Sequence, residues 1–189
     1  MFQVRLHGRG GQGTVTGAEL LSVAAFLEGK HAQAFPSFGS ERMGAPVMAF
    51  CRISDAEIRL REPVVDPDAV LIQDATLLHS VEVFQGLGAG GYVLVNTSKS
   101  IEALGLAPLC ARLPSGHVRT VPATELAQKH IGRPIPNAPL LAGFAALTGI
   151  VGMGAIERAL RDRFEGAVAD ANVAAASAAF ARVRELAAC

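Results

Sequence analysis

A short alternating run, Phe2-Gln3-Val4-Arg5-Leu6-His7, leads straight into Gly8-Arg9-Gly10-Gly11-Gln12-Gly13 and then into a helix-like segment, Thr14–Gly29. Few folds suit that succession. A strand that ends in glycines and continues as a helix opens a βαβ unit, with the turn at the carboxyl end of the first strand, the edge where open parallel sheets bind ligands. Gly8, Gly10 and Gly13 also satisfy the spacing G-x-G-x-x-G. Without Cβ atoms the backbone can approach a ligand closely, and the amides of the following helix N-terminus point at an anion. The same glycines permit tight packing of a helix on a strand, so the spacing specifies a turn without naming its occupant.

Downstream, Leu20, Leu21, Ala24, Ala25 and Leu27 line one side of the first helix, and Gly29 offers its stop. His31–Phe35 then reads as the second strand of a right-handed crossover. A dinucleotide-binding unit would place Asp or Glu at the end of that strand to hold the ribose hydroxyls; this chain has Phe35-Pro36-Ser37. The turn-rich stretch Pro36–Pro46 follows and carries Arg42. Val47–Ile53 reads as a strand, with Ser54-Asp55 turning into Glu57–Leu60, so a hairpin is predicted over Val47–Leu60. Ala69–Asp74 and Tyr92–Ser98 have the continuous apolar character of buried parallel strands and deliver Asp74, Asn96 and Thr97 to the glycine edge. Asp74 suits a cap on the turn that follows it. A strand at Val118–Val121, a helix at Thr124–His130, an apolar helix capped by Asn137, and a helical tail with Val173, Ala176, Phe180, Val183 and Ala187 on one stripe complete the chain. The expected fold is α/β: one Rossmann-like domain over residues 1–189, a mostly parallel sheet with helices on both faces, and an inserted β-hairpin.

Formal net charge is zero and 18% of residues are charged, so no global field attracts nucleic acid or an anionic membrane. Half the residues are hydrophobic, a surplus that suggests an exterior partly covered by other subunits. Ala138–Ile156 carries no charge, but Pro139, Gly143, Thr148, Gly149, Gly152 and Gly154 interrupt it, which favours a buried or interface helix over a membrane span. Cys51, Cys110 and Cys189 lie too far apart for a zinc or iron–sulfur ladder, and no metal site or catalytic residue is assigned. A chain that starts at a strand, without a basic and then apolar leader, is expected in the cytoplasm. His7 and His31 fall on strands, where a core or edge role is expected.

The glycine stretch near the N-terminus, followed by Gln33-Ala34-Phe35-Pro36-Ser37-Phe38-Gly39-Ser40-Glu41-Arg42-Met43-Gly44-Ala45-Pro46-Val47, Arg52-Ile53-Ser54 and the Val70–Asp74 strand, resembles the γ subunit of pyruvate:ferredoxin and related 2-oxoacid:ferredoxin oxidoreductases. The resemblance covers the full chain. It implies a CoA-acylating, thiamine-dependent oxidative decarboxylation in which electrons pass through iron–sulfur clusters to ferredoxin. Thiamine diphosphate and magnesium are held by a Gly-Asp-Gly motif, absent from this sequence, so these groups and the clusters are expected on partner α, β and ferredoxin-like δ chains. No cofactor is expected on this chain alone, with CoA as co-substrate. Gly8, Arg9, Gly10, Gly11, Gln12 and Gly13 are the expected anion cradle, with Ser37 and Arg42 as further contacts on the CoA side. The alternatives are a stand-alone NAD(P)- or FAD-binding oxidoreductase, disfavoured by the missing ribose carboxylate, and a purely structural subunit whose glycine turn stays empty.

Overall fold

The structure is a computed structural model that describes residues 1–37 and 43–185. Six strands form one sheet: β1 (Phe2–Arg9), β2 (His31–Pro36), β3 (Pro46–Ser54), β4 (Ala69–Ile72), β5 (Tyr92–Asn96) and β6 (Val118–Val121). Their order across the sheet is β2-β3-β1-β4-β5-β6. β1, β4, β5 and β6 pair in parallel. β3 alone runs against its neighbours, antiparallel to both β1 and β2.

The inserted hairpin therefore exists, but it is β2–β3, with His31 opposite Ser54 and Pro36 opposite Ala49, and not Val47–Leu60. Glu57–Leu60 alternates in sequence yet finds neither a partner strand nor an apolar surface, and Leu60 is exposed. β2 runs in the direction of β1, as a crossover demands, but is not hydrogen-bonded to it because β3 lies between them.

Alternation along the strands divides the interior in two. Val4, Leu6, Leu71 and Leu94 face a core shared with α1 (Thr14–Leu27), α4 (Asn137–Thr148), α5 (Met153–Arg163) and α6 (Gly166–Glu185). Val70, Ile72, Val93 and Val95 face a smaller core covered by the 3-10 turn Ala75–His79, the short α2 (Ala107–Cys110) and loops. α3 (Ala123–Ile131) packs against α6 at the β6 end. Helices thus lie on both faces, but unequally. On the thinly covered face two arginines complete the packing. Arg5 reaches the carbonyls of Val64 (3.4 Å), Val83 (3.1 Å) and Gln85, while Arg52 donates to Gln3 Oε1 (3.0 Å) and the Glu62 carbonyl (2.6 Å). Irregular chain leaves carbonyls without ladder partners, and guanidinium groups with several donors satisfy them.

The uncharged segment is absorbed within the chain. α4 ends at Thr148 with Gly149 in the left-handed conformation, α5 begins at Met153, and residues from Asn137 to Ala145 are buried. That answers much of the apolar surplus from inside, leaving Phe26, Met43, Val65 and Val168 as prominent exposed apolar side chains. Pro136, not Asn137, occupies the cap position of α4; the Asn137 oxygen instead accepts from the Ala138 amide at 2.8 Å. No helix among the described residues is long and apolar enough to cross a membrane.

Candidate functional site: the glycine turn and its cleft

β1 ends at Arg9, and the turn that follows is fixed on one side by the chain entering β3. The Gly10 amide donates to the Ala45 carbonyl (2.9 Å), and the Gly44 amide donates back to Gly10 (3.2 Å). The Gln12 amide closes onto the Arg9 carbonyl at 3.0 Å. Gly11 (φ 94°) and Gly13 (φ 74°) adopt backbone conformations that side-chain-bearing residues rarely take. Gly13 heads α1 with no side-chain cap, so the first-turn amides of the helix remain available to an external acceptor. Gly8 differs from both. It lies within β1, and a Cβ there would overlap Thr14 Oγ1 and come within 2.5 Å of Gln73 Oε1, two atoms that share a 2.6 Å hydrogen bond.

Arg9 and Gln12 brace the turn. Asp74, at the end of β4, accepts from Arg9 Nε (3.2 Å) and Gln12 Nε2 (2.9 Å) through one oxygen, and from the Thr76 amide (3.0 Å) and hydroxyl (2.6 Å) through the other. The Gln12 side-chain oxygen in turn accepts from the Arg9 amide at 2.8 Å. Burial alone would push the Asp74 carboxyl up; the hydrogen bonds from Thr76 and Gln12, with the nearby charge of Arg9, hold it below the usual carboxylate range. Asp74 caps the 3-10 turn, the role its position in the sequence suggests.

On the opposite side of the turn lies a cleft of about 520 Å³ lined by Gly11, Gly13 and Thr16, by Ile131, Arg133, Ile135 and Asn137 around the α3–α4 connection, and by Arg163, Phe164, Val168 and Asn172 where α5 gives way to α6. Among the described residues no acidic side chain lines it. Neither arginine side chain makes a hydrogen bond or ion pair among the described residues, although Arg163 lies over the Phe164 ring at 5.8 Å. Asn137 is 5% exposed, and its Nδ2 has no acceptor among the described residues. Its neighbour across the turn is Gly13, where a Cβ would lie 3.0 Å from that nitrogen. Sequence analysis missed Arg133, Arg163, Asn172 and the cleft-facing amide of Asn137 because they come from three separate connections that only the packing of α3, α5 and α6 brings together.

The remaining sites assigned from sequence fall as follows. The Ser37 amide extends the hairpin by donating to the Met48 carbonyl (2.9 Å), and Ser37 does not line the cleft. Arg42 lies outside the described residues, but its neighbour Met43 forms a bridge with Gly10 and is largely exposed beside Gly11. Asn96 turns inward, donating to the Gln73 carbonyl and Thr124 Oγ1, both at 2.7 Å, and accepting from the Thr124 amide at 3.0 Å. His7 is a core histidine, 3% exposed, and burial together with the neighbouring charge of Arg5 lowers its pKa to about 4. Among the described residues no cluster of three or more His, Cys, Asp or Glu side chains forms a metal site.

Residues 3–182 match the family model for pyruvate ferredoxin/flavodoxin oxidoreductase. The pyruvate/ketoisovalerate oxidoreductases common subunit gamma of Thermococcus kodakarensis is 46% identical over 180 residues, covering 95% of this chain and 96% of that protein. The crystal structure of pyruvate oxidoreductase subunit PORC from Thermotoga maritima superposes with a TM-score of 0.80 at 38% identity, covering 95% of each chain. The same fold recurs, at 16% identity and a TM-score of 0.74, as 32% of a chain of 2-oxoglutarate:ferredoxin oxidoreductase from Magnetococcus marinus, solved with 2-oxoglutarate, coenzyme A and succinyl-CoA bound. This chain therefore belongs to the pyruvate ferredoxin/flavodoxin oxidoreductase family, as a γ-type subunit that acts as part of a larger enzyme.

Proposed function

We propose that the subunit serves a cytoplasmic, CoA-acylating pyruvate:ferredoxin oxidoreductase and forms part of the cavity that receives CoA, while α, β and ferredoxin-like δ chains carry thiamine diphosphate, magnesium and iron–sulfur clusters. In that reaction a 2-oxoacid and CoA yield acyl-CoA and CO₂, and the electron pair passes to ferredoxin. The bound thiamine supplies the carbanion chemistry and this chain supplies binding surface.

The observation that carries the proposal is the stitching of Met43, Gly44 and Ala45 to Gly10. Met43, which follows Arg42 in the sequence, lies against the glycine turn, at the same carboxyl edge where α1 presents uncapped amides. Turn amides suit the phosphates of CoA, and a guanidinium such as that of Arg42 grips a phosphate through paired hydrogen bonds that an ammonium reproduces poorly. In the reconstituted complex, Arg42→Ala should raise the KM for CoA about tenfold, the loss of one charge-assisted contact, and leave the KM for the oxoacid nearly unchanged. Unaltered CoA kinetics with weakened subunit assembly would make Arg42 an interface residue instead.

A further inference from the structure

We propose that the open edge of β2 pairs with the same edge of a second copy of this chain, antiparallel and about a two-fold axis at Gln33, joining the two sheets into one.

The register of β2 shows which of its groups are free. The Ser37 amide donates to the Met48 carbonyl opposite it, so the residues bonded to β3 fall at every second position: Phe35, Gln33 and His31. The N–H and C=O groups of the residues between them, Ala32 and Ala34, therefore point away from β3. β2 is the last strand of the sheet, and the backbone of neither alanine has a partner on that side among the described residues. Pro36 falls in the same phase with no N–H to offer, and the Lys30 amide already donates to the Ala25 carbonyl (3.1 Å). The edge thus presents two donors, spaced evenly on either side of Gln33.

That pattern is its own complement. In antiparallel pairing centred on Gln33, Ala32 faces the partner's Ala34 and exchanges both hydrogen bonds with it, and Ala34 does the same with the partner's Ala32. All the edge donors are then satisfied, and the ladder stops where Lys30 and Pro36 have none. The side chains agree with this register. On one face only alanines meet. On the other, the exposed His31 stands opposite the partner's Phe35, and Gln33, whose side-chain oxygen has no donor among the described residues, stands opposite the partner's Gln33. No like charges are opposed, since His31–Phe35 contains no Lys, Arg, Asp or Glu.

Exposed edges are commonly guarded by a projecting lysine. Here Lys30 is drawn aside, its Nζ donating to the Ile150 carbonyl. Phe26, 71% exposed near the end of α1 that leads into β2, adds an apolar side chain that a second copy can cover.

Sedimentation and residue-resolved amide exchange on the full chain test this together. The chain should form a dimer that dissociates on dilution. Raising the concentration should slow exchange at Ala32 and Ala34, and leave Gln33 and Phe35, already bonded to β3, nearly unchanged. Ala34→Pro deletes a donor that β3 does not use, so the monomer should keep its fold. Its dimer dissociation constant should rise at least about tenfold, because symmetry removes two bonds at once. Ala32→Pro should act alike, and the exchange pattern of the unaltered chain decides the matter even if either variant folds poorly. A chain that stays monomeric, or a dimer with no added protection at Ala32 and Ala34, would overturn the proposal. So would an Ala34→Pro chain that sediments as before but enters the assembled enzyme less readily, which would give the edge to a strand of another subunit.

Discussion

Gly8→Ala separates a glycine required by packing from one required by a ligand. Its Cβ would overlap Thr14 Oγ1 and press on Gln73 Oε1 at 2.5 Å, and neither atom is the free end of a mobile side chain, because each holds the other through a buried 2.6 Å hydrogen bond. Forcing the methyl in costs about 1–3 kcal/mol in overpacking. Breaking the hydrogen bond, with two buried polar groups left unpaired, adds about 1–3 kcal/mol. The entropy that alanine removes from the unfolded chain returns only about 0.4–1 kcal/mol. A net loss near 3 kcal/mol corresponds, for a chain of this length, to a fall in Tm of roughly 6–12 °C by scanning calorimetry. In a Thr14→Ala background the same substitution should cost at least about 1 kcal/mol less, a coupling that a double-mutant cycle reads directly. A loss below about 0.5 kcal/mol in the wild-type background, or no coupling to Thr14, would refute the packing account and return Gly8 to the ligand-facing group.

The pKa of His7, lowered from 6.5 to about 4, means that between those values the unfolded chain takes up a proton that the fold refuses. Stability should therefore fall as pH drops through that window, by about 3 kcal/mol in full, and urea midpoints at pH 7 and 4.5 should show the slope in the wild type but not in His7→Gln. Asp74→Asn weakens the brace on the glycine turn and should cost about 1–2 kcal/mol at pH 7. Since the Asp74 carboxyl is held below its usual range, its contribution persists above the unfolded-state pKa and disappears as pH falls through the folded one, so the gap between wild type and variant should close in acid.

What could be read from the sequence was whatever local chemistry determines. β1, the turn and α1 follow one another as glycine conformation and apolar spacing require, and Val118–Val121 is a strand at the limits expected for it. The stripe of Val173, Ala176, Phe180 and Val183 on α6 packs inward as its spacing suggests, while Ala187 lies outside the described residues. The hairpin was misplaced because alternation in Glu57–Leu60 resembles alternation in any strand, and only the sheet decides which segment finds a partner. Arg9 and Gln12 looked like ligand contacts from sequence because their neighbours are glycines; the structure engages both with Asp74, sixty-odd residues away in the chain. Arg133 and Arg163 carry no local signal, since an exposed arginine at a helix end is ordinary until a second one faces it across a cleft.

The antiparallel β3 also sets a distance. Neighbouring strands lie about 4.8 Å apart, so placing β3 between β1 and β2 moves the end of β2 to roughly 10 Å from the glycine turn. In a dinucleotide-binding sheet the second strand lies directly beside the first, and a carboxylate at its tip reaches the ribose of a nucleotide held on the first turn. Here that space is filled by Met43, Gly44 and Ala45 as they descend into β3 against Gly10. Adding an acidic residue at Pro36 or Ser37 would not convert this turn into a nicotinamide-cofactor site, because the residue would be a strand's width too far away. Among the described residues, the cleft that opens beside this turn lies toward α3 and α6.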